Sequence, residues 1–431
     1  MVKLPVAHGD ALERLEHLIP GDSDEPPPAA TALILSIVRS APLQLIARIN
    51  TVRHRIVVRD ADGAEVAEID DDEVSVIDGV RLAARFREIE LELAEGTDDQ
   101  IAAALTRKLQ AAGAGRPDPV PKIVRAVGPR ALEPPDIALP GPLDLASTPR
   151  EVLTSAIARS VAKLVQRDPG VRIDADDEAV HQARVATRRL RSDLRTFRDA
   201  LDMHWSEPLR DELKWLGERL GRVRDADVLL ARLEEHLDAL PHADANGATE
   251  LLDTLRTERA QARDELLTAM GSERYLSLLD RLVAATHGVP PSPDGDDLDA
   301  ELEDVVQRPW KKLRNAVESL DDDPPDEELH EVRIRAKRAR YAAEAVSPAC
   351  GRDARRFAKR MTDVQDVLGE HQDAVVAEQW LRSQLSVTAS GPMLFVAGEL
   401  AAVERAASRA ARARFPQVWQ RARRKRLRRW L

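Results

Sequence analysis

Two patterns of apolar and polar positions divide the chain. Between residues 43 and 96, Ile, Val and Leu alternate with charged residues in LQLIARINTVRHRIVV, AEVAEIDDDEVSV and RFREIELELAEG. A period of two sends successive side chains to opposite faces of a strand. A turn at Asp60–Gly63 joins the first two segments into a hairpin, and a third strand is expected from about Leu82 to Ala94. Short helices are expected at about Ala30–Arg39, at about Asp98–Ala112 and in PKIVRAVG. From Arg150 onward the pattern is helical almost throughout, rich in Ala, Leu, Arg and Glu. Proline and glycine gather in breaks at Asp168–Gly170, Pro241–Gly247, Gly288–Gly295 and Asp321–Pro325. Between the two patterns, prolines recur in ALEPPDIALPGPLDLASTP, the expected linker.

The predicted fold is α+β and multidomain. A small antiparallel β-rich domain covers residues 1–128, ending its first 30 residues in a flexible acidic stretch, and a linker covers 129–147. An all-α domain follows over 148–420 and a basic tail over 421–431. A chain of 431 residues is too long for one compact core, so several domains are also the expectation from length.

The helical part contains a repeat. DEAVHQARVATRRLRSDLRTF (177–197) aligns with EELHEVRIRAKRARYAAEAV (327–346), His181 on His330, Arg184 on Arg333, Arg188 on Lys337 and Arg191 on Arg340. Upstream, Lys163 in SVAKLV matches Lys312 in PWKKLR; downstream, LGRVRDADVL (220–229) matches LGEHQDAVVA (368–377). Three matches at nearly constant offset mark duplicated halves, about 148–288 and 297–420, related by a pseudo-two-fold axis and expected to form two four-helix bundles.

Charge sharpens the repeat. The net charge is −11, against generic nucleic-acid binding as the main task. The excess acid is uneven, with 25 acidic against 16 basic residues up to Asp144. On a helix, the offsets 0, 3, 7 and 10 of each repeat fall within an arc of roughly 80°. Each copy therefore projects one histidine and three cations from one face that lacks acids at those positions. The bland account is a solvated face paired with neighbouring carboxylates. Against it, both copies keep the pattern, and like charges brought together across an axis favour an anion; Arg and Lys bind phosphate oxygens without base contacts. A metal held by His181 and His330 is a weaker alternative, because cations surround both. Cys350 is the only cysteine, which excludes an intramolecular disulfide and fits a reducing compartment; a cytoplasmic protein without membrane insertion is expected.

H-x-x-R-V-x-x-R-R-L-R, repeated as H-x-x-R-I-x-x-K-R-x-R-Y and followed by the LGxxxDA segments, resembles the CHAD domain family from about Thr148 to Trp419. The resemblance implies paired bundles around a basic channel whose ligand is inorganic polyphosphate, with localisation to polyphosphate granules as a further expectation. It implies channel residues Lys163, His181, Arg184, Arg188 and Arg191, then Lys312, His330, Arg333, Lys337 and Arg340, with Arg189 and Arg338 at the edge. Arg222 falls on a basic family position, although its partner in the second half is Glu370.

In the β-rich part, Glu88, Glu90 and Glu92 share one strand face, a pattern that suits Mg²⁺ or Mn²⁺ as well as plain solvation. Arg53 and Arg55 share a face of another strand. RxR, AEVAEIDDDEV, FREIELEL and PKIVRAVG together resemble the later part of a CYTH domain, a triphosphate tunnel metalloenzyme. That resemblance implies phosphate binding by Arg53 and Arg55 and metal binding by Glu88 and Glu90, with Asp72, Lys122 and Lys3 in or near the tunnel; Lys122 and Lys3 are then further phosphate candidates, and Asp72 joins Glu92 of the strand face as a further metal candidate. The family opens with an E-x-E-x-K strand, and nothing here resembles it. An incomplete barrel with exposed edges is expected, compatible with a homodimer; either the domain has degenerated or its start lies upstream.

Seven of the last eleven residues are Lys or Arg, a tail that would serve as a helix end, a nucleic-acid patch or a further polyphosphate contact. The leading reading is a non-catalytic polyphosphate-binding module needing no cofactor. The alternative is a triphosphatase that uses Mg²⁺ or Mn²⁺ in the β-rich domain.

Overall fold

The computed structural model describes residues 2–5, 14–20, 25–94, 96–118, 120–138, 141–240, 245–293, 302–384 and 389–431. The expected acidic stretch before residue 30, and the breaks beginning at Pro241 and Gly288, lie partly outside them. The chain forms two units, one of Lys3–Glu16 and Ala41–Pro135, the other of Met1–Val2, His17–Ser40 and Asp136–Leu431.

In the first unit, β1 (Val2–Pro5) and β2 (Arg14–His17) form a two-stranded sheet. A three-stranded antiparallel sheet runs in the order β3 (Arg48–Arg59), β4 (Glu65–Asp78), β5 (Arg81–Leu93). The β3–β4 turn is held by Asp60, whose Oδ1 accepts the backbone N–H groups of Asp62 at 3.0 Å and Ala64 at 2.9 Å. The register sets Arg53 opposite Asp72 and Asp72 opposite Glu88; one step along, Arg55, Asp70 and Glu90 stand abreast. Central β4 is the buried strand, and edge strands β3 and β5 are largely exposed. Helices α3 (Asp99–Ala111) and α4 (Lys122–Val127) complete this unit.

The second unit starts earlier in sequence than the boundary expected at residue 128. Helices α1 (Pro28–Leu33) and α2 (Leu35–Val38) belong to it. Its grip on them is polar as well as apolar: Ser36 donates to the Val165 carbonyl at 3.3 Å, and Arg39 binds Asp280 at 2.8 Å and also Asp136.

The rest of the second unit is helical. It comprises α5 (Pro149–Ile173), α6 (Asp177–Thr196), α7 (Met203–Ala239), α8 (Ala245–Met270), α9 (Glu273–Thr286), α10 (Leu302–Glu318), α11 (Asp326–Ser383) and α12 (Gly391–Ala422). Local sequence explains the starts. Thr148 and Glu151 form a reciprocal capping box with Pro149 in the first turn of α5, and the Asp176 side chain accepts from the Ala179 N–H to open α6. One predicted break is overturned, because α5 passes through Asp168–Gly170 and Pro169 lies inside it. The lost hydrogen bond is offset by buried Asp168, which pairs with Arg172 at 2.6 Å and accepts from the Tyr275 hydroxyl at 2.6 Å. The helix ends instead at Asp174, in the left-handed region at φ 53°.

The two halves are visible as elements. α5, α6, α7 and α8 correspond to α10, the first arm of α11, its second arm, and α12. The two arms of α11 meet at Gly351 (φ 72°), where the first half has a non-helical turn near Leu201. Helix α9 is an addition to the first half. The core follows the scarcity of aromatics, being mainly Leu, Val and Ala, and its main cluster runs through both halves without interruption. In α6, Ala179, Ala183, Ala186 and Leu190 are buried on one side, which leaves the cations on the other. The basic tail is tied down: Trp430 meets Phe357 edge-on at 6.3 Å between centroids, and Arg428 lies over the Trp310 ring at 4.8 Å.

Candidate polyanion site on the helical unit

The arginine at the fourth position of each repeat is seated the same way twice. Arg184 of α6 lies against Gly221 of α7, and an added Cβ there would stand 3.4 Å from its Nη2. Arg333 of α11 lies against Gly369, where the corresponding approach is 3.6 Å. Arg184 pairs with Asp225 at 2.8 Å and Arg333 with Asp373 at 3.8 Å. The shared Leu-Gly and Asp-Ala of the downstream segments are thus seat and anchor for these guanidinium groups. That role was not read from the sequence, although its signal was present in the constant offset.

Helices α6 and α11 touch, and their facing cations act on one another. Burial pushes the Lys337 ammonium down to about 7, with Arg333, Arg188 and Arg184 adding repulsion and Asp373 opposing. Burial also pushes Arg188 down, with Arg184, Arg340 and Arg333 contributing in the same direction. Arg188 and Lys337 have no ion pair among the described residues. His181 is pushed down by burial, then by Arg224, Arg188 and Arg184, against the pull of Glu178. In the second half Gln372 replaces Arg224, and His330 Nδ1 lies 2.6 Å from its Oε1. Arg184, Arg188, Arg333, Lys337 and Arg340 therefore form one concentrated cluster of positive charge, with His181 beside it.

The other candidates lie around this centre. Arg189 stands 5.7 Å from the Tyr341 ring and pairs with Glu344 at 2.5 Å, while Arg340 covers the same ring at 4.8 Å. Lys163 is pushed down by burial, then by Arg189 and Arg167. Arg338 is pushed down by burial and then by Arg195, against the pull of Glu331, with Arg335 and Arg191 adding to the repulsion. Lys312 lines a cavity of about 490 Å³ with Arg195, Arg335 and Arg338. Arg222 is not brought in: it is exposed and bonded to Glu265 of α8.

A sequence model of the CHAD domain matches residues 155–382. The chain belongs to the CHAD domain family. Two Mycobacterium tuberculosis proteins, Rv2226 of strain H37Rv and MT2285 of strain CDC 1551, are each 31% identical to it over 420 residues. Those alignments cover 93% of this chain and 79% of each relative. PptA from Streptomyces chartreusis superposes with a TM-score of 0.54 at 26% identity, over 65% of this chain and 100% of its own. The CHAD domain of Ricinus communis gives 0.49 at 28% identity, over 64% and 94%.

In the β-rich unit the expected residues do converge, chiefly on each other. Arg53 binds both oxygens of Asp72 at 2.8 and 2.7 Å, Glu90 at 2.9 Å, and also Asp70. Lys122 reaches Asp72 at 2.6 Å and Glu90 at 3.2 Å, and Arg55 pairs with Glu68 at 2.9 Å. Bonding to Arg53, opposed by burial and helped by Lys122, holds the Asp72 carboxyl down at about 2. Burial pushes Glu88 up. Among the described residues, the carboxylates that come within 4.8 Å of one another as a group of three are Asp70, Glu90 and Glu92, so Asp70 takes the place expected of Asp72 and Glu88. Arg53 already engages two of these three, so the set fits a divalent ion poorly. The Lys3 side chain lies outside the described residues. No helix among the described residues is long and apolar enough to cross a membrane.

Proposed function

We propose that the helical unit binds inorganic polyphosphate between α6 and the first arm of α11, without chemical turnover. The supporting observation is a five-cation cluster built from both repeats, in which Arg188 and Lys337 are half-buried with no ion pair among the described residues. Burying like charges is unfavourable by several kcal/mol unless counter-charge arrives, and a chain of phosphates supplies it at regular spacing. Arginine forks and a lysine serve every unit of such a chain alike. Family membership supports the same ligand class, and attachment to polyphosphate granules in the cytoplasm would follow from it.

The test is binding of long-chain polyphosphate across a salt series, by the wild type and by Arg184→Glu/Arg333→Glu. Tight, salt-sensitive binding that the double reversal removes, with helicity retained, is the expected result. Undiminished binding by the variant would put the ligand elsewhere. A triphosphatase in the β-rich unit is the second reading, favoured only by the approach of Asp70, Glu90 and Glu92. Hydrolysis of tripolyphosphate with Mg²⁺ or Mn²⁺, lost in Glu90→Ala, would support it; turnover no higher than the blank would dismiss it.

A further inference from the structure

The repeat permits a comparison position by position. Over α5 and α6 each residue corresponds to the one 149 positions later, as Lys163 does to Lys312 and His181 to His330. Contacts beyond the central cluster obey this correspondence. Arg189 faces Glu344 on one side of the α6–α11 contact; Arg338 faces Arg195 on the other. These are equivalent contacts, since Arg189 corresponds to Arg338 and Arg195 to Glu344. One is an ion pair at 2.5 Å and the other sets two guanidinium groups against each other.

The difference extends to the surroundings. The 490 Å³ cavity beside Arg195 and Arg338 is also lined by Arg198, Arg308, Lys312 and Arg335, with Asp199 as its only acid. Asp199 is itself bound to Arg308, and Glu331, which is not part of the lining, lies 3.9 Å from Arg335. Arg195, Lys312 and Arg338 have no ion pair among the described residues. At the equivalent positions on the opposite side of the contact, Ser347 stands for Arg198 and Ala186 for Arg335, while Arg159 and Lys163 match Arg308 and Lys312. Among the residues lining this cavity and their equivalents, six cations with Asp199 on one side correspond to Arg159, Lys163 and Arg189 with Glu344 on the other, where a cavity of about 450 Å³ sets Glu344, Asp363 and Asp366 against Arg355 and Lys359. The second side also carries Asp193, buried near Arg159 and Arg189, where the first has Ala342.

We infer that the site has one working mouth: a phosphate chain held at the central cluster extends outward through the Arg195–Arg338–Lys312 cavity and not past the Arg189–Glu344 pair. This rests on the polyphosphate reading above and adds a direction to it. A backbone of repeated negative charge gains at every step into the first cavity. On the opposite side it meets a carboxylate that already satisfies Arg189, so advance there must break an ion pair or bring phosphate against Glu344. Chains too short to leave the centre should be indifferent to either mouth.

The two lysines give a matched experiment on the full chain, with long-chain polyphosphate and tripolyphosphate titrated at fixed salt. Lys312→Glu and Arg195→Glu are expected to weaken long-chain binding about tenfold or more, at least five times the effect of Lys163→Glu, and to affect tripolyphosphate much less. Glu344→Gln should strengthen long-chain binding. Where a reversal fails to fold, Lys312→Gln against Lys163→Gln repeats the comparison. Equal losses from the Lys163 and Lys312 variants, with Arg184→Glu/Arg333→Glu abolishing binding, would overturn the single mouth and leave the central site standing. A wild type with no affinity for either ligand would overturn both.

Discussion

Binding of a phosphate chain at the α6–α11 cluster should take up a proton at Lys337. Its ammonium is held at about 7 by burial and by Arg333, Arg188 and Arg184. Phosphate oxygens beside it would return it toward the ordinary lysine range near 10.5. At pH 8 the unbound side chain would be about nine-tenths neutral and the bound one charged, so about 0.9 proton enters per site. The uptake should be about 0.5 at pH 7 and about 0.1 at pH 6. Affinity should accordingly fall about 50-fold between pH 7 and pH 9 from this group alone. Calorimetric titration in buffers of different ionisation enthalpy reads the uptake directly. Because polyphosphate end groups also titrate, the informative quantity is wild type minus Lys337→Met. No difference at pH 8 would refute the reasoning. The sign for stability is opposite to that of a salt-bridged lysine. The folded value lies below the unfolded one, so the charged form costs stability in full below about pH 7, and the cost fades as pH rises toward 10.5. The full shift corresponds to about 5 kcal/mol as an upper bound, and relaxation and residual solvent contact reduce it. Lys337→Met should therefore raise stability at pH 6 by about 2 kcal/mol while weakening polyphosphate binding, and denaturant unfolding measures the first effect.

Three further outcomes are expected. An added Cβ at Gly221 or Gly369 would just touch its arginine, at 3.4 and 3.6 Å, so the γ-carbons of Gly221→Val and Gly369→Val should displace it and lower polyphosphate affinity; unchanged affinity in both would remove the seat from the site. Asp72 is held at about 2, so its contribution is complete above about pH 4 and is lost as pH falls toward 2; Asp72→Asn should cost about 2 kcal/mol at pH 7 and flatten the acid limb of the unfolding profile. Trp430→Ala should destabilise by about 1–3 kcal/mol through loss of its contact with Phe357, and an unaltered denaturation midpoint would show that the tail packs loosely.

The helical class, the duplication and the residues of the basic face were legible because each is periodic. Arg184, Arg188, Arg333, Lys337 and Arg340 come together because one helix stripe occurs in both copies and α6 touches α11. Isolated signals were less informative. Asp168–Pro169–Gly170 reads as a break, yet the distant Tyr275 and a turn-spaced Arg172 hold α5 through it. In the β-rich unit, strand spacing placed Glu88, Glu90 and Glu92 together, but spacing says nothing about partners. The antiparallel register put Arg53 within reach of Asp70, Asp72 and Glu90, and the carboxylates became its ligands.

The uninterrupted core through both halves bears on how such a site could arise. A single copy of the repeat would have to self-associate to complete the basic face, and the assembly would then depend on concentration. Its two sides would also be identical by necessity, since any arginine introduced on one would appear on the other. Covalent fusion removes the dependence on concentration and releases that constraint. Arg195 and Glu344 occupy equivalent positions with opposite charge, an arrangement that no symmetric dimer of one gene product could hold. The linkage between the halves is therefore what lets equivalent positions such as Arg195 and Glu344 diverge, and the single mouth inferred above depends on it.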